Sequence, residues 1–296
     1  MITIESPTLQ AKIKPTGAEL SSLYSKASGK EYIWQGNPTW WTGQAPILFP
    51  NIGFMKDNMY NHNGISYEIP KHGFVRNAEF CIQQPATQDL SKATFTYSSN
   101  EATRKIYPFE FMLSVEFELV ANALSITYHV KSTSQNIPMY FSIGAHEAYN
   151  CPIQESESFE DYFLEFDKTA TYTSNMITSS GILSTETYNV IENGHILPLN
   201  HALFQNDAIV IQNVPSSRVF LRSKKSNTAI EINYHDAPNL GIWTKVGAPY
   251  ICIEPWYGLP DSPHHNGNII DKPGIIALSA QEEFSWTHTI TIHDKD

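Results

Sequence analysis

Phe111-Met112-Leu113-Ser114-Val115-Glu116-Phe117-Glu118-Leu119 alternates apolar and polar side chains from Leu113 onward, with Met112 the one apolar residue on the other face. After Ala121-Asn122 the alternation resumes as Leu124-Ser125-Ile126-Thr127-Tyr128-His129-Val130-Lys131. A period of two is the mark of a strand with one face in a core and the other toward water. Two such runs joined by a tight turn predict an antiparallel hairpin. Working outward, shorter β-favouring runs recur on both sides: Leu9 to Lys14 and Glu19 to Tyr24 before it, then Pro138 to Ile143, Tyr162 to Phe166, Ala208 to Gln212 and Val219 to Ser223. Ala229 to Tyr234, Leu240 to Lys245, Tyr250 to Ile253, Ile275 to Ser279 and Phe284 to Ile292 continue the series. Asn63-Gly64 is a two-residue hairpin signal, because both positions of that turn need a positive φ. No stretch carries a helical period of useful length, and only Leu199 to Phe204 reads as a helical turn, capped by Asn200. The expectation is an all-β chain forming a large antiparallel β-sandwich, one domain over residues 1–296.

With 296 residues, 41% of them hydrophobic, the chain can bury a substantial core. Its formal charge of -11 argues against nucleic-acid or anionic-membrane partners, which need a basic face. Three cysteines, Cys81, Cys151 and Cys252, are odd in number and contain no Cys-x-x-Cys pair, so free thiols in a reducing compartment are expected. Met1 to Ser6 has neither the basic nor the apolar region of a secretion signal, and no run is long enough to span a bilayer. A cytoplasmic protein is the expectation.

Phosphate-binding glycine loops, nucleophile elbows and paired metal-ligand motifs are missing from the sequence. His264-His265 are adjacent rather than at ligand spacing, and His146-Glu147 lacks the second histidine that a zinc-protease helix needs, so no metal is expected. What remains is a set of imidazoles and carboxylates at strand ends. The leading candidate is Tyr250-Ile-Cys-Ile-Glu-Pro-Trp-Tyr-Gly-Leu-Pro260, where an apolar strand delivers Glu254 to a turn with Trp256 and Tyr257 beside it. Pro255 is expected to end that strand. A carboxylate next to flat aromatic faces is a hydroxyl acceptor beside a stacking surface, the combination that a sugar ring requires. His72, ahead of Gly73, and His146, after Gly144-Ala145, stand where a ligand can approach closely. Trp34, Trp40 and Trp41 read first as a packed corner, with a place on a binding rim as the alternative. Asp261 to Asp271, rich in His, Asn, Gly and Pro, reads as a mobile rim over Glu254.

Four segments in order, Ala45-Pro-Ile-Leu-Phe-Pro50, Pro70-Lys-His-Gly-Phe-Val-Arg76, Ser142-Ile-Gly-Ala-His146 and Cys252-Ile-Glu-Pro-Trp-Tyr-Gly258, resemble the aldose 1-epimerase (galactose mutarotase) superfamily, and within it the LacX-like branch. The resemblance implies a galactose mutarotase-like β-sandwich, a cofactor-free isomerase, and a small-molecule aldose as partner. It implies Glu254 as general base, His146 as general acid and His72 as a second histidine near the ring oxygen. Asp207 matches, more loosely, an aspartate that binds sugar hydroxyls, and Arg76 is a pocket residue by position. The chemistry agrees: opening a cyclic aldose takes one proton acceptor and one donor, each worth about 10² to 10⁴-fold. Two departures stand out. The branch usually reads Gly-Arg-x-Lys where this chain has Gly53-Phe54-Met55-Lys56, and Gly-Gly-His-Pro where it has Gly144-Ala145-His146-Glu147. The first removes an arginine suited to a phosphate; the second puts a carboxylate beside the presumed acid. A free hexose is therefore the expected substrate, with a hexose 6-phosphate and a non-catalytic carbohydrate-binding role as alternatives.

Overall fold

In the computed structural model, which describes residues 1–83 and 89–294, strands dominate and are joined almost entirely antiparallel. The predicted central hairpin is Phe111–Val120 paired with Ala123–Ser132, with Ala121 at a positive φ of 51° in the turn. Phe111, Leu113, Val115 and Phe117 are buried from one strand, Leu124, Ile126, Tyr128 and Val130 from the other, as the alternation requires. This hairpin lies near one end of a 14-stranded sheet. Beyond it the path runs through Glu283–His293, Ala229–Asn233, Arg218–Ser223 and Tyr162–Ile177, then Ile209–Gln212, Asn239–Trp243 and Tyr250–Tyr257.

The sheet folds over on itself, so strands far apart along its path face each other across the core. Tyr257 packs edge-on against Phe284 and Trp286 at centroid separations of 5.1 and 5.5 Å, and Glu147 meets His288 at 3.2 Å. A three-stranded sheet, Ile2–Glu5, Leu9–Lys14 and Glu19–Ser25, packs against the same core. The Asn63-Gly64 turn joins Met59–His62 to Ile65–Glu68 as expected. Among the described residues no helix is long and apolar enough to cross a membrane.

The strand carrying Glu254 does not stop at Pro255. It runs from Tyr250 to Tyr257, because the missing proline N–H falls where its neighbour is interrupted, between Ile143–Gly144 and Glu147–Asn150, and Pro255 still accepts from Ala145 N–H at 3.1 Å. A short helix, Glu101–Ile106, has no counterpart in the sequence reading; six residues are too few to show a period, yet Asn100 caps it through bonds from Ala102 and Thr103 N–H. The turn at His201–Phe204 is present, but Asn200 provides no side-chain cap. Tyr162–Ile177 and Leu183–Pro198 form a hairpin of 16 residues on each side, much longer than Tyr162 to Phe166. On its second strand Thr185 to Asn189 are exposed at consecutive positions, so no alternation marks that stretch.

Candidate active site

Cross-strand register assembles the site. Gly144 pairs with Trp256 and Glu147 with Ile253, so the intervening residue His146 stands across from Glu254. On the other side Glu254 pairs with Gly241, Gly241 with Val210, and Val210 with Asn175, giving one row across four strands. Alternation along Tyr250–Tyr257 then sorts the side chains: Glu254 and Trp256 line a cavity of about 780 Å³, while Ile251 and Ile253 enter the core on the opposite face. Tyr257 goes with the core, so only Trp256 of the two expected aromatics borders the carboxylate.

Trp256 lies flat because its neighbours have no side chains. A Cβ on Gly241 would fall 2.4 Å from Trp256 Cζ2, and one on Gly144 2.5 Å from Trp256 Cδ1. The two glycines form the bed for the indole.

His146 Nε2 is 3.4 Å from Glu254 Oε2, and the two side chains are 9% and 3% exposed. The imidazole is wedged between Trp41 (centroids 5.1 Å), Trp243 (6.1 Å, edge-on) and His72 (5.5 Å, edge-on). Burial pushes His146 down from 6.5 to about 3. Burial also raises Glu254 well above 4.5; Lys71 opposes that rise, and Glu147 and Asp207 add to it. Both effects favour the uncharged pair.

His72 sits at φ 64° and Gly73 at φ 72°, in a turn held by His72 N–H to Gly53 O (2.9 Å) and Phe74 N–H to Phe49 O (3.1 Å). Gly73 has no alternative there, since a Cβ would lie 2.0 Å from Phe49 O. Gly53 N–H donates to His72 Nδ1 at 3.1 Å, so the neutral ring carries its proton on Nε2. Burial, followed by the charges of His146, Lys71 and Arg76, holds His72 well below 6.5. It is a neutral donor lining the cavity.

Arg76, from the turn Val75–Asn77, and Asp207, at φ 77°, line the same cavity. Asp207 Oδ1 accepts the Ala208 N–H at 2.8 Å, which fixes the carboxylate at the rim. All five residues singled out from the sequence thus meet at one hollow, although they are drawn from segments between positions 72 and 254.

Other cavity residues were foreseen only in part, Lys71 as a cation available to a phosphate and Trp41 through the alternative of a rim. Trp41 belongs to the cavity wall rather than only to a packed corner, and Trp243, Lys71, Gln205, Asn206 and Pro260 join it. Trp243 had a legible signal, sharing strand parity with Gly241; the segment from Met176 to Gly181, at the end of the long hairpin, had none. The stretch Asp261 to Asp271 is not a rim. Asp261 is fully buried, accepting Lys56 N–H (2.9 Å) and pairing with His265 (2.8 Å), so the segment braces the loop at Phe54–Lys56 from behind. Phe54 packs against Gly181 and carries Lys71 Nζ 5.0 Å over its ring. Glu147 turns away from the cavity into the core.

Chemically, the arrangement offers a proton acceptor and a donor side by side, neutral and charged hydrogen-bonding groups around them, and indole surfaces for stacking. His146, Cys252 and Glu254 also present one donor atom each within 4.8 Å of one another, a set that suits a thiophilic divalent ion. Proton transfer needs no such ion.

Residues 1–282 match the family model described as aldose 1-epimerase. Protein LacX (chromosomal) of Lactococcus lactis subsp. lactis is 32% identical over 299 residues, 98% of this chain and 99% of that protein. A galactose mutarotase related enzyme from Lactobacillus acidophilus superposes with a TM-score of 0.93 at 31% identity, over 99% of this chain and 97% of that one. A Salmonella typhimurium protein provisionally named a glucose-6-phosphate 1-epimerase is 28% identical over 153 residues, 49% of each chain.

Proposed function

Because the chain belongs to the aldose 1-epimerase family, a family of isomerases, we propose that it interconverts the α and β anomers of a free hexose through Glu254 and His146. The observation that carries this reading is the buried 3.4 Å approach of His146 Nε2 to Glu254 Oε2 at the base of a sugar-sized cavity. Moving one proton from Glu254 to His146 creates a carboxylate base and an imidazolium acid. The carboxylate then takes the anomeric hydroxyl proton while the imidazolium protonates the ring oxygen, and the C1–O5 bond breaks. That leaves an aldehyde, a free hydroxyl, a neutral glutamic acid and a neutral imidazole. Rotation about C1–C2 presents the other face, and the same two transfers in reverse close the ring.

Burial is central to this cycle. The charged pair coexists with the closed sugar and the uncharged pair with the open aldehyde, so the low dielectric that favours the uncharged pair also favours the intermediate. His72 Nε2–H, Arg76 and Asp207 are assigned to the sugar oxygens, and Trp256 to the apolar face of the ring. An NMR exchange measurement with glucose and galactose tests the reading: anomer exchange is faster with enzyme than without. No acceleration across a panel of aldoses rejects it.

A second reading, a hexose 6-phosphate, has one observation in its favour, the two cations Lys71 and Arg76 on the cavity wall. Phe54 weighs against it, because Lys71 rests on that ring where the branch usually offers an arginine. Comparing exchange of glucose and its 6-phosphate decides between them, and loss of any preference for the phosphate in Arg76→Ala identifies the clasp. The turn of Glu147 into the core removes one of two motives for a non-catalytic binding role. Calorimetric sugar binding without faster exchange would restore that alternative.

A further inference from the structure

The far end of the cavity is built by the turn of the long hairpin. The row of paired residues that starts at Glu254 ends at Asn175, and beyond it Met176, Ile177, Thr178, Ser179 and Gly181 line the hollow. Ser179 and Ser180 are exposed, and so are Thr185 to Asn189 on the returning strand. The bonds from Thr178 N–H to Ile182 O and from Gly181 N–H to Thr178 O, both 2.9 Å, shape the turn without attaching it to anything else. A wall so thinly packed needs an anchor.

Two contacts lead from the turn to one neighbouring loop. Leu183 N–H donates to Asp261 O at 2.7 Å, and Asp261 N–H donates to Phe54 O at 3.0 Å. Gly181, at φ 76°, lies so close to the Phe54 ring that a Cβ would stand 2.6 Å from Cδ2 and 2.9 Å from Cε2. The half-buried ring does not itself border the cavity, yet Lys71, whose Nζ lies 5.0 Å over it, does. A single side chain thus braces two pieces of the wall from behind, the hairpin turn and the turn that carries His72.

We propose that Phe54 is a positioning residue that seats the hairpin turn against the cavity and so sets the affinity for sugar without touching it. This rests on the reading of the cavity as an aldose site. Unseating the turn leaves Glu254 and His146 in place, because the two short strands that flank His146 pair with Tyr250–Tyr257 independently of the hairpin. The loss therefore falls on binding rather than on the bound sugar's rate. If the seated form drops to about a tenth of the molecules, the apparent affinity falls about tenfold.

The test combines amide hydrogen exchange, read by mass spectrometry on the unliganded protein, with anomer exchange of glucose and galactose followed by NMR. In Phe54→Ala the peptide spanning residues 178–183 exchanges faster, and KM rises about tenfold at a kcat within about twofold of wild type. Phe54→Leu, which restores apolar bulk, returns both toward wild type. Gly181→Ala pushes the ring away and raises KM likewise, so it carries the test alone if Phe54→Ala does not fold. Because the two alanine changes break one contact, their combined effect on KM is smaller than the product of the two. Wild-type protection of the turn, an unchanged KM, or a loss confined to kcat overturns the proposal. Faster exchange of the turn in Phe54→Ala, in a protein whose wild type shows no anomer exchange, upholds the seating of the turn and rejects the aldose reading.

Discussion

Replacing Gly241 with alanine tests how the floor of the site is built. The added Cβ would stand 2.4 Å from Trp256 Cζ2 and 2.5 Å from Cη2, about 1 Å inside the ~3.5 Å at which carbon atoms rest. Backbone cannot yield easily, since Gly241 is paired on both sides, with Glu254 and with Val210. The indole must lift. Overpacking of this kind costs about 1–3 kcal/mol of stability. Lifting the ring by about 1 Å displaces the surface beside Glu254, a misplacement worth on the order of 10² in rate. Urea denaturation and NMR anomer exchange read the two effects. Every atom in the clash belongs to the six-membered ring of the indole, so Trp256→Phe in the alanine background recovers part of the lost stability, a coupling that a double-mutant cycle isolates. Gly64→Ala is the control: its φ of 77° brings strain, but nothing lies within 4 Å of the new methyl, so stability falls and exchange does not. Wild-type stability and activity in Gly241→Ala would refute the packing argument.

Further outcomes follow from the same geometry. His146 titrates near 3 when folded and near 6.5 when unfolded, so its contribution is complete above 6.5 and is lost as pH falls toward 3. His146→Gln should therefore lose less stability than wild type between about pH 7 and about pH 4.5, measured by urea denaturation; an equal loss refutes the assignment. Zn²⁺ should slow exchange in wild type and bind about tenfold more weakly to Cys252→Ser, because thiolate is the softest of the three donors. Equal affinity, read by calorimetry, places the ion elsewhere. His72, held well below 6.5, should contribute no limb to the rate profile near neutral pH, and an NMR titration showing His72 protonated at neutral pH contradicts its role as a neutral donor.

How far the sequence could be read depended on whether each residue's partner lay in a pattern. The hairpin from Phe111 to Ser132 was legible because one face is buried and the other wet, which forces period two. Thr185 to Asn189 were not, since a stretch exposed at consecutive positions leaves its side chains unsorted. Glu254, His146 and His72 were found by their local motifs, Glu254 before Pro255, His72 before Gly73 and His146 two residues after Gly144. The segment from Met176 to Gly181 reaches the cavity only through folding, so nothing in its own neighbourhood announced it, whereas Trp243 shares strand parity with Gly241. Glu147 was ambiguous for a related reason: adjacent strand residues point to opposite faces, but the interruption at Ala145–His146 hides the parity until the register with Ile253 is known. Asp261 to Asp271 misled by composition, because turn-rich sequence describes both a loose rim and a braced strut.

The central claim is that a single buried carboxylate accepts the proton that opens the ring. Glu254→Gln keeps the shape of the side chain beside His146 and Trp256 but cannot accept a proton near neutral pH. Anomer exchange followed by NMR at saturating sugar, with binding measured on the same sample by calorimetry, should show a loss of about 10² to 10⁴-fold in rate and affinity within about tenfold of wild type. Exchange at the wild-type rate in that variant would contradict the account.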